Sequence, residues 1–247
     1  PILLVLLLSL SCSESATDAV QKQPKKEKAP KVVLELVPEV DKGPEEFMGL
    51  IDVQSINDQI FADLRYASDR NFMGFKMYQS IQRPYMQPEV AERLSRCQDY
   101  LSEIDSSLHL LIYDAARPVS VQKLMWDALD TLPISLRGRY VSNPKYRSLH
   151  NLGAAVDITI CNADLEPLDM GAGFDEFAEI AYPRMEWHFL QTGELSKEQH
   201  ANRMLLRKVM EREGFRQLST EWWHFNAYSR AEACSKFTAL QEEPVLD

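Results

Sequence analysis

The sequence predicts an α+β domain: a central antiparallel sheet flanked by helices. Two observations carry that expectation. Amphipathic helical segments and short apolar strands both occur, and they follow one another without the regular βαβ beat that a parallel sheet requires. A third bounds the size, since 247 residues suffice for one good-sized domain plus a tail.

The elements follow in order. Pro1 to Cys12 is an apolar run too short to span a bilayer, and it resembles the h-region of a secretory signal peptide. Cys12 after Leu10 and Ser11 resembles a lipobox, which would make it a lipidated mature N-terminus anchored to a membrane; the alternatives are an ordinary cleaved signal or an uncleaved anchor. All of these place the remaining chain outside the cytoplasm, as a periplasmic protein or an outer-membrane lipoprotein. Residues 13–46, rich in Ser, Lys, Pro and Glu, read as a disordered tether, with 32–37 able to add an edge strand before Pro38. The compact domain is expected over 47–240, with a short C-terminal tail at 241–247.

Within that domain, Pro88 to Ile104 has Pro at its first turn and apolar residues Val90, Leu94, Cys97, Leu101 and Ile104 at helical spacing. Leu108 to Tyr113 is an apolar strand running into Asp114-Ala-Ala-Arg-Pro118, and a helix is expected from about Ser120 to Leu129. Ala154 to Ile160 reads as a buried strand, Met170 to Phe177 as a Gly-punctuated loop entering a short helix. Ser196 and Gln199 form a capping box for a helix that Gly214 stops. Thr220 to Tyr228 is an aromatic-rich strand.

Charge and cysteine content exclude whole classes. A formal charge of −10 argues against nucleic acid, whose binders gather Lys and Arg into basic patches. Cys97, Cys161 and Cys234 lack CxxC spacing, so neither a disulfide framework nor a zinc knuckle is indicated; three buried thiols are the expectation. Oligomeric state is not set by the sequence.

Asp157 is the anomaly, a carboxylate inside an apolar strand, where an unpartnered charge is costly. Five histidines are available: His109, His150, His188, His200 and His224. His150, Asp157 and His224 would make a three-ligand zinc site with its fourth position open, and the cation would keep Asp157 ionised. The competing reading is a turn-capping or Arg-paired Asp157 with a loop histidine. Glu221, three residues before His224, suits the base that a metal-activated water needs. On a strand, however, residues three apart face opposite sides. Either the backbone bulges near Trp222, or Glu221 precedes the strand.

The blocks "LRYASDRNFMG", "YDAARP", "SLHNLGAAVDITI", "MGAGFDEF" and "GFRQLSTEWWHF", in that order, resemble the D-alanyl-D-alanine dipeptidase family of zinc peptidases over roughly Ile51 to Phe225. The resemblance implies a D,D-peptidase/hedgehog-like zinc peptidase fold. It implies one zinc ion per chain on His150, Asp157 and His224, with Glu221 as general base and acid. Arg117 would stabilise the developing oxyanion, Asp175 would receive the ammonium group of a small dipeptide, and Tyr66 and Ser148 would help hold its ends. Rival readings are a D,D-carboxypeptidase or endopeptidase on longer peptidoglycan stems, and a non-catalytic zinc-binding module for cell-wall peptide. Two departures from the family pattern, Ala172 and Tyr182, bear on specificity. Trp222 and Trp223 are expected to pack, Glu176 to favour a helix N-terminus, and His188 in "EWHF" to be a decoy.

Overall fold

The computed structural model describes residues 44–244. The signal-like run, Cys12 and the predicted edge strand at 32–37 lie outside the described residues.

A three-stranded antiparallel sheet joins β1 (Glu46–Phe47), β2 (Leu50–Asp52) and β4 (Tyr85–Met86) in that order. The main sheet has five strands in the order β3 (Phe61–Ala62), β5 (His109–Asp114), β6 (Ala155–Cys161), β8 (His224–Asn226) and β7 (Arg216–Gln217). It is not wholly antiparallel as expected. β3 lies parallel to β5 at one edge, while the other pairings are antiparallel. The two-residue β3 carried no periodic signal from which its direction could be read.

β6 is flanked on both sides, and all seven of its residues are buried. That placement explains an apolar run without alternation. Against the sheet packs α2 (Pro88–Ile104), with Pro88 in its first turn and Val90, Ala91, Leu94, Cys97 and Leu101 buried. Gln98 is buried with them and joins helix to strand: its Oε1 accepts from the Leu110 N–H at 2.7 Å and its Nε2 donates to Leu108 O. Ile104, predicted to share the apolar stripe, is exposed, because the helix runs past the core there.

The remaining helices are α1 (Val53–Ile56), α3 (Val119–Ala128), α4 (Ile134–Arg137), α5 (Glu186–Thr192), α6 (Lys197–Arg212) and α7 (Arg230–Lys236). α6 begins at the predicted Ser196–Gln199 capping box, and Gly214 follows it at φ 76°. At 241–244 the chain is held against the domain, where the Glu243 carboxylate accepts from the backbone N–H groups of Gln79, Ser80 and Ile81.

Two expected elements are shorter than predicted. The strand at 220–228 is reduced to β8, with Glu221 to Trp223 in the preceding turn. No helix follows Phe174 directly; Asp175 sits at φ 59°, and Glu176 folds back so that its Oε2 accepts from the Gly173 N–H. The thiol expectation also needs correction. Cys97 and Cys161 are buried, while Cys234 is exposed on α7, and all three are free.

Candidate active site

His150 and Asp157 reach the same point from opposite ends of one segment. His150 opens a single 3-10 turn, His150–Leu152, which Gly153 ends at φ 61° before the chain enters β6. Only glycine fits there, since a Cβ would lie 2.7 Å from Leu50 Cδ2 and 3.2 Å from Gln87 N. Asp157 then pairs with His224 across the antiparallel β6–β8 ladder, which brings the two side chains together.

The three ligand atoms converge. His224 Nδ1 lies 3.0 Å from Asp157 Oδ1, and His150 Nε2 lies 3.1 Å from His224 Nδ1 and 3.4 Å from Asp157 Oδ1. A tetrahedral zinc site with bonds of about 2.05 Å has edges of about 3.3 Å, so these atoms form one face of such a site. Second contacts fix the tautomers that ligation needs. His150 Nδ1–H donates to Ala115 O at 2.7 Å, leaving Nε2 for the metal, and His224 Nε2–H donates to Asn226 Oδ1 at 2.9 Å, leaving Nδ1. The residues fit a zinc ion.

The electrostatics agree. Burial opposes the charge on Asp157, but the two histidines outweigh it and hold the carboxyl below the usual range. Burial likewise opposes the His224 imidazolium, yet its hydrogen bond to Asp157 and the neighbouring carboxylates raise it to about 9. Without metal, a proton on His224 serves as the counter-charge that a cation would replace.

Glu221 lies in the turn before β8, with its Oε2 3.9 Å from His224 Nδ1. That placement resolves the spacing problem, because Glu221 is not on the strand. Burial raises its pKa, with Asp157 adding to the effect, as suits a base working near neutrality. Trp222 and Trp223 are both buried and pack as expected; Trp222 Nε1–H also donates to Ala172 O, tying this turn to the Gly-rich loop.

Arg117 borders the same point, with Nη2 3.6 Å from Asp157 Oδ2. What aims it is Asp114, to which sequence alone assigns no role. Asp114 is fully buried and its Oδ2 accepts from Arg117 Nε at 2.9 Å and Nη2 at 2.6 Å, while its Oδ1 accepts from the Tyr78 hydroxyl. A register shift between Ile112 and Asp114 turns this carboxylate toward Arg117, as strand bulges do. A buried carboxylate three residues before a buried arginine was the available signal. Asn226 was missed too, although it lies two residues from His224 on one strand face.

Opposite the ligands, the Tyr66 hydroxyl donates to both carboxylate oxygens of Asp175, each at 3.2 Å. Burial, reinforced by the Asp157 charge, raises the Asp175 pKa well above the carboxylate norm, against the lowering pull of Arg117. Ser148 is buried with its Oγ 3.3 Å from the His150 N–H. One cavity of about 690 Å³ is lined by all of the predicted site residues: Tyr66, Arg117, Ser148, His150, Asp157, Asp175, Glu221 and His224. That size suits a small ligand. Phe177 and Tyr140 form an edge-to-face wall, and Tyr182 also faces the cavity, whereas Ala172 does not line it. Of the two departures, only Tyr182 is therefore placed to touch a ligand. His188 is exposed on α5, His109 packs edge-on to Phe61, and His200 lies beside Glu186; none lines the cavity.

Two histidines and a carboxylate on one tetrahedral face, with a half-buried glutamate and a buried arginine alongside, define the site of a metal-dependent hydrolase. Residues 46–241 match the family model described as D-ala-D-ala dipeptidase, and the chain belongs to that family of M15 peptidases, which is zinc-dependent. It is 32% identical over 176 residues to a D-alanyl-D-alanine dipeptidase of Escherichia coli, covering 71% of this chain and 83% of that protein. Proteins of the same name from Synechocystis and Enterococcus faecium are each 29% identical, over 58% and 66% of this chain and 69% and 83% of their own lengths.

Proposed function

We propose that this protein is a zinc-dependent D,D-dipeptidase, of the D,D-peptidase/hedgehog-like fold, that hydrolyses D-alanyl-D-alanine to two D-alanines. The observation that carries this reading is the pairing, in one cavity, of a metal-binding face with the half-buried Asp175 carboxylate, whose two oxygens meet a neutral tyrosine hydroxyl. A zwitterionic dipeptide supplies an ammonium for Asp175 while presenting its peptide bond to the metal side.

Zinc, when bound, acts as a Lewis acid and makes water nucleophilic near neutral pH. Glu221 Oε2 takes the proton of the attacking water and returns it to the leaving nitrogen. The Arg117 guanidinium, kept charged by Asp114 despite its burial, donates to the carbonyl oxygen as negative charge develops there. Tyr66 orients the Asp175 carboxylate on the ammonium, and the Ser148 hydroxyl meets the substrate carboxylate. The Tyr140–Phe177–Tyr182 wall leaves a longer peptide nowhere to place its extra polar groups, which would be buried unpaired.

The signal-like N-terminus and Cys12 support an exported, lipid-anchored enzyme that recovers D-alanine from peptidoglycan turnover. The test is D-alanine release from D-Ala-D-Ala with and without chelator, beside L-Ala-L-Ala and a D-Ala-terminated pentapeptide. Chelator-sensitive cleavage of the D,D-dipeptide alone is expected. Cleavage of the pentapeptide alone would make this a carboxypeptidase, and no cleavage by zinc-loaded protein a recognition module.

A further inference from the structure

Asp175 lies on a loop with almost no regular structure of its own, at a left-handed φ of 59° that costs energy in a residue with a side chain. Something outside the loop must hold that geometry. The helix α6 presents three residues that do so. Gln199 Nε2 donates to Asp169 Oδ2 and Asn202 Nδ2 to Asp169 O, each at 2.9 Å. One residue on, Arg203 is fully buried; its Nε donates to Met170 O at 2.6 Å and its Nη1 to Ile180 O at 2.9 Å. Residues at i, i+3 and i+4 share one helix face, so a single rigid helix grips the loop. The grip is close. At Gly171, φ 76°, a Cβ would lie 2.5 Å from Leu195 Cδ1 and 2.9 Å from Gln199 Oε1.

A buried guanidinium costs far more than packing two carbonyls warrants, and burial does lower the Arg203 pKa. Its counter-ion, buried Glu186, is 3.7 Å from Nη1 and is also held by Arg207 Nη2 through both carboxylate oxygens. What Arg203 provides that an apolar residue would not is simultaneous donation to two carbonyls ten residues apart, at the two ends of the Asp175 loop.

We propose that Arg203 is a positioning residue for recognition of the substrate ammonium: from α6 it straps residues 170 and 180 together and thereby sets where Asp175 stands. The inference rests on the dipeptidase reading above. It does not require Arg203 to touch the substrate, and Arg203 does not line the catalytic cavity.

The experiment compares zinc-loaded wild type with Arg203→Met, Arg203→Lys and Asn202→Ala. Steady-state kinetics on D-Ala-D-Ala run beside amide hydrogen exchange. The Met variant is expected to raise KM about tenfold with kcat within about threefold and zinc content unchanged, because uniform binding of the ammonium is what is lost. Exchange should quicken across 170–180 and not along β6 or β8. Lysine keeps the charge opposite Glu186 but cannot span both carbonyls, so it should recover thermal stability and leave KM raised, a split that a purely structural role would not give. Asn202→Ala, at a half-exposed position, should raise KM less. If Arg203→Met does not fold, the other two variants carry the same readouts. Wild-type KM in the folded Arg203 variants, or unaltered exchange over 170–180, would overturn the proposal. A wild-type protein that cleaves no dipeptide would instead refute the reaction assigned above, and the exchange data would then decide the strap by themselves.

Discussion

The two walls of the cavity are built by different means. On the metal side, Asp157 and His224 face each other across a strand ladder and His150 sits on a turn locked to it, so backbone hydrogen bonds set the ligand geometry. On the side proposed for the ammonium, Asp175 stands on an irregular loop that Arg203 of α6 ties at Met170 O and Ile180 O and Trp222 ties at Ala172 O. The metal face is thus as stiff as the sheet, and the ammonium face only as stiff as its ties. Under the proposed function, chemistry falls to the rigid wall and substrate choice to the adjustable one, a division that would let specificity change without disturbing the ligands.

Perturbations should separate along the same line. The largest effect is expected from Glu221→Ala, which removes the base but none of the three ligands: hydrolysis should fall by about 10²–10⁴ with zinc content unchanged. Wild-type turnover in a fully metallated variant would end the proposed mechanism. Asp114→Asn comes next. It keeps the size of the clamp but loses the charge that orients Arg117, so kcat should drop about 10- to 100-fold with little change in KM. A KM effect instead would assign Arg117 to substrate binding.

Gly171→Ala probes the softer wall. It strains a left-handed residue and meets Leu195, which should cost about 1–3 kcal/mol in thermal stability, together with a several-fold rise in KM and a nearly constant kcat. A fall in kcat alone would mean that the two walls are mechanically coupled.

The smallest effect concerns pH. In metal-free protein the folded pKa of His224, about 9, exceeds its unfolded value of about 6.5. The resulting stability is fully present below about 6.5 and is lost as pH rises through about 9. Asp157, held low, adds stability present above about 3.9 and lost only as pH falls through its depressed folded value. Melting of chelated protein should therefore decline from pH 6.5 to 9 through this pair, and zinc should abolish the decline. A flat chelated profile would show that the pair contributes nothing measurable to the rigid wall.

Legibility followed the same division. A carboxylate in an apolar strand and a histidine seven residues before it are conspicuous, because regular structure imposes a pattern that Asp157 interrupts. Glu221 could be named with two placements open, a bulge or a position ahead of the strand, and the structure has the second because β8 is shorter than the aromatic run. Gln199, Asn202 and Arg203 look like an ordinary solvated helix face, and nothing in their spacing reveals that two loop carbonyls lie against it. The role of Asp114 was hidden for another reason: its orientation comes from a register shift that leaves no mark in composition. The parallel edge strand β3 was invisible because two residues carry no period.

Chain order and spatial order oppose each other at the centre of the sheet. Among the described residues β8 is the last strand in the chain, yet it lies between β6 and β7 and carries His224, with Glu221 just ahead of it. During synthesis from the N-terminus, α2, β5 and β6 can all emerge while the reactive centre still lacks His224 and Glu221. A chain that stops before β8 has the frame of the site with two of its three ligands. Under the proposed function, hydrolysis therefore waits until synthesis has passed β8, and a fragment that ends before it lacks both the third ligand and the base.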